Sequence, residues 1–427
     1  MDKIIERSIY TDKIKGFIGK EVIKIITGIR RCGKSEILKL LRQEVLKLTD
    51  QAHIVFINFE DVEFDYIKTY KELHDYALSQ MKDDKKYYLF FDEIQQVAEW
   101  EKAINSLRLK NADIYITGSN SKLLSGELAT LLGGRYVQFE IRPLSYREFL
   151  QFQDTFEPVA LNGSGSFGDV SKSNDRYAVV PAMDTVKKFM EYGGFPFIST
   201  QGFTIGQAAL VVKDIHASII LKDVVSRNRV GNVPLLEKVV AYFYDTIGNL
   251  TSLRRIAEYI SGGEKKKVTM NLDVISSYVG YLEAAYVIKR VPRYDIKGKK
   301  LFETNDKYYL ADHSLAYVIK DVSKVNKGGI LENMVYAELI ARGYTVYVGK
   351  LDTKEVDFVA EKNGERLYVQ VCLEFTTQET YDREFAPLKE IKDNHPKYVV
   401  SLDSHANRND DGVIGISLKD FLLADNL

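Results

Sequence analysis

An α/β architecture, with a parallel sheet near the N-terminus and helical and further α/β segments after it, is predicted by three observations. Short apolar runs alternate with helical periodicity between residues 22 and 141. One of those junctions reads G-x-x-x-x-G-K-S, and another apolar run ends in an acidic pair. Parallel neighbours can be joined only by a crossover, and a helix is the common one, so this alternation points to a doubly wound sheet.

The first run, Val22-Ile23-Lys24-Ile25-Ile26-Thr27, reads as a buried strand and leads directly into Gly28-Ile29-Arg30-Arg31-Cys32-Gly33-Lys34-Ser35. From Glu36 to Leu46 the apolar residues Ile37, Leu38, Leu40, Leu41, Val45 and Leu46 recur at helical spacing. A glycine-rich loop between a strand and a helix is the context in which successive backbone N–H groups cradle phosphate oxygens, aided by the positive end of the helix dipole. Residues Gly28 to Glu36 are therefore the expected ATP-binding segment. Lys34 is expected on the β and γ phosphates and Ser35 on Mg2+.

Tyr87-Tyr88-Leu89-Phe90-Phe91 is a second buried strand, ending in Asp92-Glu93. Asp92 is expected to hold the magnesium shell and Glu93 to act as general base on the attacking water. The strands His53 to Phe59 and Asp113 to Thr117, with helical segments around 70–81 and 99–108, complete the pattern. Gly118-Ser119-Asn120 follows one of them; if that strand neighbours the P-loop strand, Ser119 or Asn120 faces the γ phosphate as a sensor, the competing role being a helix cap. Arg135, before the strand Val137 to Ile141, is an arginine-finger candidate acting within the chain or on a neighbouring subunit, with a plain surface arginine as the alternative.

At 427 residues, 45% hydrophobic and 28% charged, the chain is too long for one ordinary core, and two or three domains are expected. No stretch of eighteen apolar residues occurs, and Met1 to Arg7 lack the apolar segment of a secretion signal, so a cytoplasmic protein without a membrane partner is expected. Cys32 and Cys372 lack metal-type spacing and read as two reduced thiols. A net charge of −1 excludes a global electrostatic case for nucleic acid binding, leaving only local basic patches.

Residues 161–170 fit the glycine-rich loop of a kinase, G-x-G-x-F-G-x-V, but no V-A-I-K, H-R-D or D-F-G string follows, and the stretch reads as a polar loop or insertion over 151–180. Helical patterns then dominate from Asp184 to about Val230, suiting a lid over 181–235. Asp223 and Arg227, four apart, are expected to form an intrahelical pair.

Thr251 to Ile260, the turn Ser261-Gly262-Gly263, a second helix after Thr269 and a strand pair around Tyr294 to Lys300 form a winged-helix pattern over 236–320. Lys265, Lys266, Lys267, Arg290, Arg293, Lys297, Lys299 and Lys300 supply a basic patch there, suited to double-stranded DNA or to the solvated surface of a protein-docking module.

GIRRCGKS, YYLFFDE with IQQV, ITGSNSKLL and GGRYVQFEIRPLSYREF together resemble the AAA-type ATPases that carry a C-terminal DUF4143 region. Tyr192 to Pro196, Leu221 to Val225, Lys307 to Asp312 and Glu355 to Phe358 extend the resemblance over nearly the whole chain. It implies an ATPase core over 1–150, a winged helix, and a restriction-nuclease-like domain over 321–427. In that last segment Glu332, Asp357 and the strand Leu367 to Cys372 follow the order of a PD-(D/E)xK nuclease. The E-x-K positions, however, read Gln370-Val371-Cys372, and without that carboxylate and amine the domain is expected to be inactive. Glu355 and Glu374 are the substitute carboxylates. Homo-oligomerisation and a protein partner are left open.

Overall fold

The computed structural model describes residues 5–121, 132–156, 183–262, 271–302, 305–320, 324–403 and 408–427. The chain folds into two compact units interleaved along the sequence. One comprises Met1–Pro143, Asp214–Val239 and Ile260–Lys289; the other comprises Leu144–Lys213, Val240–Tyr259 and Arg290–Leu427.

The first unit begins with α1 (Ser8–Lys15), β1 (Ile23–Thr27), α2 (Lys34–Val45), β2 (Ile54–Asn58), α3 (Tyr70–Gln80), β3 (Tyr87–Asp92), α4 (Trp100–Leu107), β4 (Ala112–Gly118) and β5 (Tyr136–Glu140). Its sheet has the order β2-β3-β4-β1-β5, and every pair is parallel. All residues of β1 and β3 are buried, which is why those strands read as near-continuous apolar runs rather than alternating ones. Ile25, Ile57, Leu89, Phe91 and Ile116 join Trp100, Ile104 and Leu107 of α4 and Leu73 and Ala77 of α3 in one core. A reciprocal box between Thr69 and Glu72 starts α3.

Lys24 is the exception in β1, fully buried at mid-strand. Its ammonium pairs with Asp113 of β4 and donates to the Lys20 carbonyl at 3.0 Å. Burial pulls its pKa down, and the Asp113 charge and hydrogen bond oppose that shift.

The order of this sheet positions the site. Because β4 lies between β1 and β3, the loops leaving the C-terminal ends of these three strands are neighbours. The condition on which the sensor expectation for Ser119 and Asn120 depended is therefore met: Thr27 stands opposite Gly118.

In the second region of sheet the strands are β6 (Ile288–Val291), β7 (Arg293–Asp295), β8 (Lys300–Leu301), β9 (Lys307–Leu310), β10 (Thr345–Leu351), β11 (Lys354–Lys362), β12 (Glu365–Cys372), β13 (Lys397–Ser401), β14 (Arg408–Asp410) and β15 (Val413–Ser417). Eight of them form a mixed sheet in the order β14-β15-β13-β12-β11-β10-β7-β8. The helix Gln378–Lys389 makes the crossover between the parallel strands β12 and β13, packing Phe385 and Leu388 with Tyr368 and Val399.

The strand pair expected as a wing does form, with Tyr294 opposite Leu301. It is not free-standing, since β7 also pairs in parallel with β10 and becomes part of the eight-stranded sheet. Local patterning marks a hairpin but cannot show which distant strand satisfies its other edge. The two helices of the same pattern form at Leu253–Ile260 and Leu272–Ala284. Lys265, Lys266 and Lys267 lie outside the described residues, as does the kinase-like loop at 161–170. Among the described residues no helix is long and apolar enough to cross a membrane.

Candidate nucleotide site and a second charged cluster

The segment between β1 and α2 curls through three left-handed positions, Gly28 (φ 145°), Arg31 (φ 68°) and Gly33 (φ 98°). Gly28 has no alternative: a Cβ there would stand 2.0 Å from the Ile141 carbonyl oxygen and 3.0 Å from the Cys32 sulfur. Gly28→Ala is expected to lower stability by about 1–3 kcal/mol, read as a lower denaturation midpoint of the full chain. From behind, Arg7 pins the loop by donating to the carbonyls of Cys32 at 2.9 Å and Arg142 at 3.0 Å. Cys32 is fully buried, donates to Ile141 O at 3.3 Å and has its thiol pKa raised by burial, which makes it a packing residue. Ile29 is buried likewise, whereas Arg31 and Glu36 face solvent, Glu36 pairing with Lys39 at 2.7 Å.

Lys34 opens α2 and is nearly buried. Its ammonium donates to the carbonyls of Gly28 at 3.1 Å and Ile29 at 3.2 Å and lies 3.8 Å from Glu93. Asp92, at the end of β3, accepts a hydrogen bond from the Thr117 hydroxyl, and the Ser35 hydroxyl lies near enough to influence its titration. Burial raises its pKa, those two hydroxyls oppose the rise, the Glu93 charge adds to it and Lys34 opposes it. Glu93 holds a left-handed backbone (φ 54°), with its N–H bonded to Thr117 Oγ1 at 2.9 Å and its carboxylate accepting from Gln95. Ser119 and Asn120 are buried just beyond β4. The structure thus brings Lys34, Ser35, Asp92, Glu93, Ser119 and Asn120 to one edge of the sheet.

Arg135 is not among them. Tyr136 stands opposite Ile23 in parallel register, so the exposed Arg135 lies at the N-terminal edge while the P-loop leaves the C-terminal edge. The separation along the strands is about 16 Å at ~3.3 Å per residue. The expectation of a finger acting within the same chain is corrected accordingly; what led it astray is that spacing along the sequence does not reveal at which end of a parallel strand a residue falls.

Two residues carry contacts the sequence reading missed. Thr117, read only as a strand residue, bonds both Asp92 and Glu93. Asp223 does pair with Arg227 (3.8 Å), but its stronger partners are Arg30 at 2.9 Å and Ser119 at 2.8 Å. The available signal was a carboxylate within the apolar run Ile219-Ile220-Leu221 to Val224-Val225, since such a residue is seldom fully buried without partners beyond its own helix.

In the second unit Glu332 and Asp357, with Glu355 from the same strand as Asp357, converge around an ammonium. Lys307, on β9, lies 2.8 Å from Glu332, 2.8 Å from Glu355 and 3.1 Å from Asp357. Burial would lower its pKa; the charges of Asp357, Glu332 and Glu355 reverse this, and the net shift is upward. Glu332 is pushed up to about 8 by burial and by Asp357, against Lys307 and the Tyr309 hydroxyl. Gln370 bridges the Asp357 backbone N–H and Glu384, and burial raises the Cys372 thiol to about 11. Among the described residues no group of three or more His, Cys, Asp or Glu is arranged to hold a metal ion. The basic residues near β7 are partly engaged, Arg290 with Asp306 and Lys297 with Asp352, whereas Lys299 and Lys300 face solvent.

A parallel sheet whose P-loop strand is flanked by the strand that precedes Ser119, with an Asp-Glu pair on the next strand, defines the P-loop class of α/β proteins. Residues 20–150 match the family model described as AAA domain, residues 183–326 one described as domain of unknown function DUF8612, and residues 327–421 one described as domain of unknown function DUF4143. The chain belongs to the family of AAA-domain proteins with a C-terminal DUF4143 domain. It is 35% identical over 425 residues to an uncharacterized protein of Haemophilus influenzae, covering 98% of this chain and 99% of that one. With an uncharacterized protein of Methanocaldococcus jannaschii it shares 32% over 402 residues, covering 92% of this chain and 82% of the other. Among solved structures, the Aeropyrum pernix ORC1 protein in complex with DNA aligns at 10% identity and a TM-score of 0.30, covering 80% of this chain and 95% of that one; a likeness at that level carries no functional argument.

Proposed function

We propose that the chain binds ATP with magnesium at the P-loop, hydrolyses it, and passes its nucleotide state to the C-terminal region. The observation that carries this reading is the convergence of Lys34, Ser35, Asp92 and Glu93, with the Lys34 ammonium 3.8 Å from the Glu93 carboxylate and the Ser35 hydroxyl close enough to Asp92 to oppose the rise in its pKa. One hydroxyl, one carboxylate and phosphate oxygens are the ligand set magnesium takes in such sites. When bound, that ion neutralises charge on the β and γ oxygens. Lys34 exchanges its present carbonyl partners for phosphate oxygens, Glu93 takes the proton of the attacking water, and Asn120 or Ser119 contacts the γ phosphate. If Arg135 acts as a finger at all, it acts toward a second copy of the chain; otherwise it is a plain surface arginine.

We assign 321–427 as a nuclease-like domain without nuclease activity, and 181–235 as a lid and 236–320 as a winged-helix region, each of which draws its residues from both compact units. Double-stranded DNA is the partner tested first, because Lys299 and Lys300 remain solvated near β7. A slow nucleotide-gated switch is the second reading, favoured by the engagement of Glu93 with Gln95 and of Lys34 with loop carbonyls.

Steady-state ATP hydrolysis by the full chain, with magnesium and with or without duplex DNA, is the test. Turnover that DNA raises is expected; tight binding with negligible turnover under both conditions selects the switch. Absence of ATP binding at millimolar levels removes both.

A further inference from the structure

Asp223 sits on the π-helix Ile219–Ser226 and is 1% exposed. Its carboxylate accepts from Arg30 Nε at 2.9 Å and Nη2 at 3.4 Å and from Ser119 Oγ at 2.8 Å, and Arg227 lies at 3.8 Å. Arg30 belongs to the P-loop. Ser119 leaves β4 beside Gly28, because Thr27 and Gly118 are opposite one another. Both guanidinium groups, Arg30 and Arg227, also feel the charge of Glu93. Two cations and a hydroxyl converging on one oxyanion form the donor set that a terminal phosphate seeks. A protein carboxylate now holds that set. The segment carrying it is a π-helix, a geometry that recurs at functional sites, and its Ser226 hydroxyl donates to the Leu221 carbonyl at 2.8 Å.

We infer that Asp223 is an internal anion competing with the γ phosphate of ATP for Arg30 and Ser119, so that ATP but not ADP releases the π-helix. This rests on the P-loop reading above. The physical basis is differential: a γ phosphate that takes Ser119 and part of Arg30 leaves a buried carboxylate short of partners, a costly state relieved when the π-helix moves and Asp223 reaches water. ADP lacks the phosphoryl group that reaches these donors and leaves the contact intact. A ligand shifts such an equilibrium only through its different affinity for the two states, and the third phosphate supplies that difference.

Asp223→Asn keeps the shape and removes the charge. Calorimetric titration of the full chain with magnesium and either β,γ-methylene-ATP or ADP is expected to show the ATP analogue bound about tenfold more tightly by D223N, the equivalent of ~1.4 kcal/mol, with ADP affinity unchanged. In the unaltered chain, amide hydrogen exchange across residues 219–226 is expected to rise with the analogue and not with ADP. Equal changes for both nucleotides, weaker analogue binding by D223N, or exchange that both nucleotides alter alike would reduce Asp223 to a structural brace and overturn the inference. If D223N fails to fold, the exchange measurement on the unaltered chain decides alone. Should the unaltered chain bind neither nucleotide, with Lys34→Ala indistinguishable from it, the P-loop reading itself fails and the inference with it.

Discussion

Replacing Glu93 by glutamine is expected to leave ATP bound and to slow its hydrolysis by a factor on the order of 10² to 10⁴, the range assigned to a positioned general base. Glutamine is nearly isosteric and keeps an acceptor for the Gln95 amide, so the left-handed backbone at residue 93 and its N–H bond to Thr117 are retained. What is lost is the carboxylate that takes a proton. Lys34→Ala is expected to differ in kind, weakening ATP binding as well as turnover, because its ammonium is the cation that a P-loop brings to the β and γ phosphates. Equilibrium binding of radiolabelled ATP beside single-turnover hydrolysis separates the two variants. If E93Q hydrolyses ATP at the unaltered rate, Glu93 is not the base.

Lys307→Met is expected to destabilise the second unit by about 3–5 kcal/mol, the cost of removing one partner from a buried ionic cluster. Methionine fills the same space, so the effect isolates the charge. Glu332, Glu355 and Asp357 are then left facing one another without the ammonium that all three approach. The sign of the pH dependence follows from Glu332, whose folded pKa of about 8 lies above its ordinary value of 4.5. Its contribution to stability is full below about 4.5 and is lost as pH rises through about 8. Without Lys307 the carboxyl holds its proton to higher pH still, so the deficit of K307M is expected to be larger at pH 9 than at pH 5. Denaturant unfolding at the two pH values, followed by tyrosine fluorescence, checks this; a pH-independent deficit would assign the loss to packing. Adding Glu332→Gln to K307M is expected to recover part of the stability, since one of the stranded carboxylates is removed.

Much of the first unit was legible because its signals are local. A strand running into glycines and then into helical periodicity states its own context, and β1, β3 and β4 formed within one or two residues of their expected limits. The acidic pair at the end of Tyr87 to Phe91 was legible for the same reason. Arg135 was not, because its usefulness depends on which end of a parallel strand it occupies. Asp223 was read through its nearest sequence neighbour, Arg227, while its main partners lie 193 and 104 residues away. The missing lysine of the E-x-K strand shows the same limit. Gln370 and Cys372 correctly announced a departure from the nuclease pattern, yet the cation among those carboxylates comes from β9, 50 residues before Asp357.

By itself, then, the order of residues determined the class of the N-terminal fold, the loop that would cradle phosphate and the carboxylates that would serve it, since backbone conformation and strand burial are set by neighbours a few positions apart. Only the tertiary structure decided that β4 separates β1 from β3, that Asp223 holds Arg30 and Ser119, that β7 joins the eight-stranded sheet and that Lys307 pairs with three acids. Each of these is a pairing between distant segments, where a buried charge or an open strand edge takes whichever partner packing brings within reach.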